Sequence, residues 1–160
     1  MLRRRRCSHC GTEVRSAVVY TDGACINNGR NAYAGFGVFW GDDHRNNVSE
    51  PFSNGPATKT RAALEAVRHA IKQGVDKDLD CMTIRSDMQY LVNAHTEYVK
   101  KWRKNGWKTS RGKLVADGDL HQAIEDLRKN FFVRFEHVPA DENGMADQLA
   151  TQGAEEARGH

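Results

Sequence analysis

The sequence predicts an α/β protein built on a five-stranded mixed sheet, with a three-strand antiparallel meander, two parallel strands and helices on the faces of the sheet. Short apolar runs separated by turn residues fill the first third of the chain, which is typical of a meander. A strand–helix–strand passage follows, and such a passage favours a parallel, right-handed crossover. Helical and extended segments then alternate, which places the whole chain in the α/β class.

The meander is predicted from three segments. Residues 16–21 form a β-branched run, residues 33–40 alternate apolar side chains with glycines, and residues 47–52 follow turn residues. Because consecutive strands usually lie side by side, these three are expected to pair with one another.

The crossover begins at Thr58, a predicted N-cap whose hydroxyl can accept a hydrogen bond from the first helical turn. Apolar residues recur at helical spacing up to residue 73, and Gly74 is expected to end this helix. Residues 81–86 then form the fourth strand, parallel to the first.

The remaining elements follow from the same patterns. Residues 88–102 are expected to be helical in two pieces, and Asp119 is expected to cap the next helix. Residues 131–138 read as the fifth strand, and residues 144–157 as the last helix.

A chain of 160 residues is expected to form one domain, which we place at residues 16–157. Residues 1–15 are predicted to be a flexible basic tail, although Arg3 to Arg6 could also tether nucleic acid or belong to a transit peptide. Cys7 and Cys10 form a single CxxC pair, which is either incidental or a zinc-binding pair.

No apolar run approaches the ~20 residues that span a bilayer, and no apolar signal segment stands near the start. The expected location is therefore intracellular, with nucleus, cytoplasm and mitochondrion left open. No obligate protein partner is evident from the sequence, and a monomer is expected.

Three aspartates stand at the ends of strand-like runs or at the start of a helix: Asp22, Asp87 and Asp147. Each alone is an ordinary turn or cap residue. Carboxylates that gather at strand ends, however, need a cation, and Mg²⁺ or Mn²⁺ with oxygen ligands is the usual partner. A site of that kind can hydrolyse phosphodiesters with two metal ions.

Residues 100–113, here called the basic segment, hold seven Lys or Arg residues and no acid, although the net charge of the chain is only +3. Aromatic residues are interleaved with these cations, which is typical of a surface that contacts nucleic acid. The alternative is a solvated helix face whose tryptophans point inward.

Five blocks carry a resemblance to a known family. They are Tyr20-Thr21-Asp22-Gly23, Thr58 to Arg61 with Ala62, Ser86-Asp87, Trp102 to Ser110, and Met145-Ala146-Asp147. Their order and spacing resemble the type 1 ribonuclease H family from about residue 16 to residue 153. The resemblance implies a ribonuclease H fold with residues 16–157 as the catalytic domain.

The resemblance also implies an activity. It is endonucleolytic hydrolysis of the RNA strand of an RNA·DNA hybrid, which leaves 5′-phosphate and 3′-hydroxyl ends. Asp22, Asp87 and Asp147 would be the catalytic residues and the ligands of two Mg²⁺ ions, with Mn²⁺ possible. The partner would be the hybrid duplex, and no membrane is involved.

Ala63 is the main departure from the family, which has a glutamate metal ligand at this position. Glu65 cannot replace it, because two residues along a helix turn the side chain by about 200°. Ala63 either disarms an active enzyme by design or belongs to a natural pseudo-enzyme, and in both cases cleavage should be poor. A second departure is the short segment from His137 to Asn143, which lacks the histidine of many relatives; His137 itself is expected to be packed in its strand.

The resemblance further implies nucleic-acid contacts. Thr58 matches a phosphate-pocket residue, and Asn28, Lys59 and Thr60 match residues that face the minor groove, where 2′-hydroxyls distinguish RNA from DNA. Tyr98 and Trp102 would line the channel for the DNA strand. The residues of the basic segment expected to contact nucleic acid are Lys101, Lys104, Lys108, Thr109 and Ser110.

Two alternatives remain open at this point. The chain could be a non-catalytic module that binds RNA·DNA hybrids, with Ala63 as its natural residue. It could also be a retroelement-derived ribonuclease H domain once fused to a reverse transcriptase.

Overall fold

The computed structural model describes residues 2–6, 13–27 and 31–159. Its strands are β1 (Leu2–Arg6), β2 (Glu13–Ile26), β3 (Tyr33–Phe39), β4 (Val48–Pro51), β5 (Cys81–Ser86) and β6 (Phe132–His137). Its α-helices are α1 (Lys59–Asp76), α2 (Gln89–Asn93), α3 (Val99–Lys104), α4 (Gly118–Leu127) and α5 (Gly144–Arg158). A π-helical turn, Ala94–Tyr98, joins α2 to α3, and 3₁₀ turns cover Arg128–Asn130 and Ala140–Glu142.

The five predicted strands form one mixed sheet in the order β4-β3-β2-β5-β6. The β2–β3 and β3–β4 pairs are antiparallel, and the β2–β5 and β5–β6 pairs are parallel. This confirms the predicted meander plus two parallel strands. The central position of β2 directs its carboxyl end to the middle of one edge of the sheet, where ligands of α/β proteins commonly bind.

Strand β1 was not predicted. Leu2–Arg6 pairs antiparallel with residues 13–17 at the start of β2, in the segment where the sequence predicts a flexible tail. The physical reason is that β2 begins at Glu13, earlier than predicted, and β3 covers only Tyr20 to Ile26 of it. The backbone groups of the free part of β2 are satisfied by pairing with β1. Cys7 and Cys10 lie outside the described residues.

Helix α1 packs on one face of the sheet, over β2. An ideal Cβ at Gly23 would lie 2.2 Å from the backbone nitrogen of Ala63, so only glycine allows the helix to approach the strand this closely. The buried core between them includes Val19, Leu64 and Ile84.

Helix α5 packs on the opposite face, over β3. An ideal Cβ at Gly37 would lie 2.6 Å from the carbonyl oxygen of Ala146, and Ala146 and Ala150 are fully buried. Small residues on both surfaces therefore let the last helix approach the sheet closely. This packing brings the first turn of α5, with Asp147, to the end of β2.

Two predicted helix boundaries are wrong. Helix α1 continues past Gly74 to Asp76, because Gly74 is buried and its Cα faces the ring of Phe131, where a Cβ would lie 3.0 Å from Cζ. Asp117, with φ of 58°, stands at the N-cap position of α4, whereas Asp119 lies in the first turn and pairs with Arg61. The predicted N-cap Thr58 is confirmed, since its hydroxyl accepts a hydrogen bond from the Arg61 N–H at 3.0 Å.

Candidate active site

Asp22 lies at the carboxyl end of the central strand β2 and is 3% exposed. The parallel register pairs Tyr20 with Arg85, so continuing it by two residues places Asp22 beside Asp87, directly after β5. This register places the two aspartates next to each other, as the sequence predicts.

Asn143 links the elements that carry the three aspartates. Its side-chain amide donates hydrogen bonds to the Thr21 carbonyl oxygen at 3.0 Å and to Asp87 Oδ1 at 3.1 Å. Its backbone carbonyl accepts from the Asp147 N–H at 3.0 Å, at the start of α5. One buried residue therefore connects β2, the end of β5 and the first turn of α5, and the sequence interpretation did not assign it a role.

The three aspartates influence one another electrostatically. Burial raises the pKa of Asp22 to about 7, and the negative charges of Asp87 and Asp147 act in the same direction. The ammonium of Lys59 and the N–H of Gly23, which donates to Asp22 Oδ1 at 2.8 Å, oppose this rise in the pKa. A buried carboxylate among like charges is costly, so the site favours a bound cation.

Ala63 lies where the resemblance implies a fourth carboxylate. It is 2% exposed, and its backbone nitrogen is next to Gly23, the residue after Asp22. A glutamate at position 63 would thus begin beside Asp22. Glu65 is directed elsewhere, because its carboxylate pairs with Arg68 at 2.8 Å.

The donor set suits Mg²⁺ or Mn²⁺. Such ions prefer carboxylate and carbonyl oxygens, and Mg²⁺ commonly uses one or two protein carboxylates together with substrate phosphates. Within the described residues, no three His, Cys, Asp or Glu side chains converge around a single ion position. Asp147 is exposed, whereas Asp22 and Asp87 are drawn together by the register and by Asn143. The oxygen of the Asn143 amide is buried and has no hydrogen-bond partner among the described groups, which leaves a further oxygen free beside this pair.

The predicted minor-groove residues are placed differently from one another. Lys59 and Thr60 form the first turn of α1, directly after the exposed N-cap Thr58. The Lys59 ammonium lies 3.5 Å from Asp22 Oδ1, and its side chain is 52% exposed, so its groove contact stays a prediction. Asn28 lies outside the described residues, and its contact stays a prediction.

The basic segment forms α3 and the turn and hairpin that follow it. Lys100, Lys101, Lys104 and Lys108 are exposed, as is Ser110, while Thr109 is half-buried. Arg103 is the exception, because it pairs with Glu125 at 2.8 Å. Six of the seven cations therefore have no ion-pair partner among the described residues and remain available to an external anion.

Aromatic rings line this surface. The centroids of Tyr98 and Trp102 are 5.8 Å apart, and those of Trp102 and Trp107 are 6.2 Å apart. All three residues are half-buried, so each ring packs on the protein and exposes part of its face or edge. This combination can stack on bases or sugars while the lysines contact phosphates.

A buried polar cluster beneath these rings was not predicted. The Nδ1 of His95 contacts Glu125 Oε2 at 2.8 Å, His95 Nε2 contacts His121 Nδ1 at 3.0 Å, and His121 Nε2 contacts the Tyr90 hydroxyl at 3.3 Å. His121 also packs on Trp102, with ring centroids 5.1 Å apart. Histidines far apart in sequence give no pattern by which this cluster could have been found.

Burial lowers the pKa of His121 to about 3, and the neighbouring His95 contributes in the same direction. Burial likewise lowers the pKa of His95, although the carboxylate of Glu125 opposes this. Burial raises the pKa of Glu125, but the hydrogen bond from His95 and the charge of Arg128 outweigh it and leave this pKa lowered. The histidines are therefore neutral and Glu125 is ionised at neutral pH.

His137 departs from its predicted packed role. It is the last residue of β6 and is exposed, although strand alternation places it on the same face as the buried Val133 and Phe135. The buried face of β6 therefore ends at Phe135.

The fold and this site define a class of protein. It is an α/β domain with carboxylates at the carboxyl ends of adjacent parallel strands, beside a basic and aromatic surface. The chain matches the family model described as RNase H over residues 14–155, and it belongs to the ribonuclease H family.

Curated relatives agree with this assignment. The chain is 38% identical to human "Ribonuclease H1" over 145 residues, which is 88% of this chain and 50% of the relative. The chain thus spans about half the length of the first curated relatives it matches, which are mammalian proteins of this name.

Solved structures share the fold. The structure of RNase H1 from Halobacterium salinarum has a TM-score of 0.63 at 25% identity, covering 89% of this chain and 99% of that one. A foamy viral protease-reverse transcriptase, solved in complex with RNA/DNA hybrid, has a TM-score of 0.71 at 24% identity, covering 86% of this chain and 20% of that one.

Across the part of the chain that the structure describes, no helix combines the length and apolar character needed to cross a bilayer.

Proposed function

We propose that this chain binds RNA·DNA hybrids and is built to hydrolyse their RNA strand endonucleolytically, leaving 5′-phosphate and 3′-hydroxyl ends. The observation that carries this is the position of Asp22, Asp87 and Asn143 at the carboxyl ends of β2 and β5, next to position 63. The names of its relatives and the hybrid bound to the viral neighbour point to the same substrate.

Asp22, Asp87 and Asp147 would hold Mg²⁺ or Mn²⁺, and we propose two ions per site. When bound, the ions would activate the attacking water and stabilise the leaving 3′ oxygen. Asn143 holds Asp87 in place through its amide, and Gly23 fixes one oxygen of Asp22 through its N–H. No protein nucleophile is required for hydrolysis of this kind.

The chain as given should bind hybrid and cleave it poorly, because Ala63 contributes no carboxylate beside Asp22. Loss of a group that only orients a metal ligand already lowers activity roughly 10- to 100-fold, and loss of a ligand should lower it further. The same residue favours the second candidate, a non-catalytic hybrid-binding module. A retroelement-derived domain is a third candidate, since the viral neighbour shares the fold.

Binding can be tested by fluorescence anisotropy with a labelled hybrid across a salt series. With six unpaired cations in the basic segment, we expect about three to five phosphate contacts and a slope of log affinity against log salt of roughly −3 to −4.5. Changing Lys100, Lys101 and Lys104 to Ala should flatten this slope. Preference for hybrid over duplex DNA should survive, because phosphate contacts carry little base or sugar information.

A control that also removes positive charge changes Lys72 and Lys77 to Ala, since both stand at the C-terminal end of α1, away from the basic segment. That control should keep the parental slope. Absence of any hybrid binding by the parent chain would contradict the proposed function. An unchanged slope in the triple variant would instead remove the basic segment from the interface.

A further inference from the structure

Lys59 is placed beside Asp22 by the packing of α1. It is the first residue of the helix, one turn before Ala63, and the helix presses on β2 at Gly23. The position of the Lys59 backbone is therefore set by the same close approach that sets position 63.

The Lys59 ammonium contacts the strand end in two ways. It donates a hydrogen bond to the Gly23 carbonyl oxygen at 2.7 Å, and it lies 3.5 Å from Asp22 Oδ1. The Lys59 side chain is 52% exposed and that of Asp22 is 3% exposed. The stem of the lysine thus runs along the surface while its charged end turns toward the buried carboxylate.

Among the described residues, no second Lys or Arg pairs with the three aspartates. Lys59 is the one Lys or Arg in that part of the chain that forms an ion pair with Asp22, Asp87 or Asp147. The two other aspartates add negative charge around Asp22. An ammonium at this point therefore neutralises part of the charge that a divalent ion would neutralise.

We propose that the Lys59 ammonium is a counter-cation of Asp22. It competes with a divalent ion for this carboxylate, and it allows the site to bind the hybrid when no divalent ion is present. The proposal rests on the proposed function and makes Lys59 a positioning residue that acts through Asp22. It differs from the minor-groove contact that the family resemblance implies for Lys59.

Ala63 strengthens this competition. Residues four apart on a helix face each other, so a glutamate at position 63 would offer Lys59 a second carboxylate. With alanine there, the described ion pairing of Lys59 is with Asp22 alone. The ammonium and the missing glutamate thus both reduce the attraction of the site for a divalent ion.

The test measures Mg²⁺ binding by calorimetry without nucleic acid, in the parent chain and in Lys59→Met. A partly exposed ion pair corresponds to an effect of up to about fivefold, so Lys59→Met should bind Mg²⁺ about threefold to fivefold more tightly. Lys59→Arg, which keeps the charge, should restore the parental affinity. Lys72→Met, an equal charge change at an exposed position of the same helix, should leave it unchanged.

A second arm measures hybrid binding in EDTA and in Mg²⁺. Binding by the parent should differ little between the two, whereas Lys59→Met should bind more weakly in EDTA and recover in Mg²⁺. Circular dichroism confirms that each variant is folded, and Lys59→Gln serves as a further neutral variant. Failure of the parent to bind hybrid would overturn the proposed function, while the Mg²⁺ arm would still test Lys59.

Equal Mg²⁺ affinity in the parent and in the folded neutral variants, or no Mg²⁺ binding by any of them, overturns the proposal. So does a loss of hybrid binding in Lys59→Met that is the same with and without Mg²⁺, because that result assigns Lys59 to a direct nucleic-acid contact.

Discussion

The Asp22 carboxylate combines deep burial with two negatively charged neighbours, Asp87 and Asp147. Removal of a carboxylate from water is unfavourable unless hydrogen bonds or a cation offset it. The Gly23 N–H and the Lys59 ammonium supply part of that offset. The residue is therefore less suited to stabilising the fold than to attracting a cation.

This conflict gives a prediction at the residue scale. Asp22→Asn should raise the melting temperature in EDTA at neutral pH, because it removes a buried charge and keeps the shape of the side chain. A gain of about 1 kcal/mol corresponds to roughly 2–4 °C for a chain of this size. Added Mg²⁺ should stabilise the parent chain and leave the variant unchanged, as measured by thermal unfolding.

Asp76→Asn, an exposed change near the end of α1, provides the control and should respond to Mg²⁺ like the parent. If Mg²⁺ stabilises Asp22→Asn as much as it stabilises the parent, the assignment of Asp22 to the metal site is wrong.

The sequence predicted the positions of some site residues but not the contacts of others. Asp22 and Asp87 were predictable because each directly follows or ends a strand whose pattern is clear. The role of Asn143 was not, because it depends on contacts with Thr21 and Asp87, more than fifty residues away in sequence. Lys59 was predicted to face the groove, whereas its contact with Asp22 depends on how closely α1 approaches Gly23.

At the scale of elements, the segment from α2 to α3 is one helical path interrupted by the π-helical turn Ala94–Tyr98. This turn carries His95 toward Glu125 and His121 of α4. One arrangement gives each contact a single proton: Tyr90 donates to His121, His121 donates to His95, and His95 donates to Glu125. A chain of this kind joins α2, the π-helical turn and α4 beneath the rings of Tyr98 and Trp102.

The cluster predicts acid sensitivity. The folded-state pKa of His121 is about 3, below the ordinary value of 6.5, so the unfolded chain binds more protons between these values. Stability is therefore present above about pH 6.5 and is lost as the pH falls toward 3, by up to about 1.4 kcal/mol per pH unit. His121→Gln should reduce this slope in urea unfolding measured from pH 7 to pH 4.5.

Glutamine cannot titrate in this range, and its amide can still donate to His95, which makes it a suitable replacement. His137→Gln removes an exposed histidine and should keep the parental slope. Parallel stability curves for the parent and His121→Gln would show that the buried pair does not govern acid unfolding.

The elements themselves were largely predictable. Strand β5 was predicted with its observed bounds, and the meander within one or two residues apart from the longer β2, because apolar and turn residues alternate clearly there. The π-helical turn and β1 were not, since a helical period does not reveal an inserted residue and β1 forms only beside the free part of β2. The end of α1 was predicted wrongly because the sequence does not distinguish a glycine that ends a helix from one that allows close packing, as Gly74 does.

At the scale of the molecule, the crossover through α1 places β5 beside and parallel to β2, so two aspartates separated by 65 positions share one edge of the sheet. Helix α5 crosses the opposite face and adds Asp147 at the same edge. The basic segment begins in α3, at the end of the helical path that starts just after Asp87. The topology alone therefore brings the carboxylates into one neighbourhood and connects them to the basic and aromatic surface by a short helical path.

The sequence predicted this arrangement through strand order, since parallel strands place their carboxyl ends together. It could not predict that Asp147 remains exposed while Asp22 is buried, because that depends on how α5 packs over Gly37. In the proposed function, cleavage depends on position 63, whose backbone lies against Gly23, the residue after Asp22.

Restoring the glutamate at position 63 and assaying a hybrid with separately labelled strands therefore gives the most direct result. Ala63→Glu should raise Mg²⁺-dependent cleavage of the RNA strand by at least roughly 10²-fold over the parent, more than a ligand-orienting group contributes. The products should carry 5′-phosphate and 3′-hydroxyl ends. Ala63→Gln, of equal size but uncharged, should give little gain, and Asp87→Asn added to Ala63→Glu should remove it. No gain in a folded Ala63→Glu protein that still binds hybrid, or cleavage of the DNA strand, would contradict the proposed ribonuclease H activity.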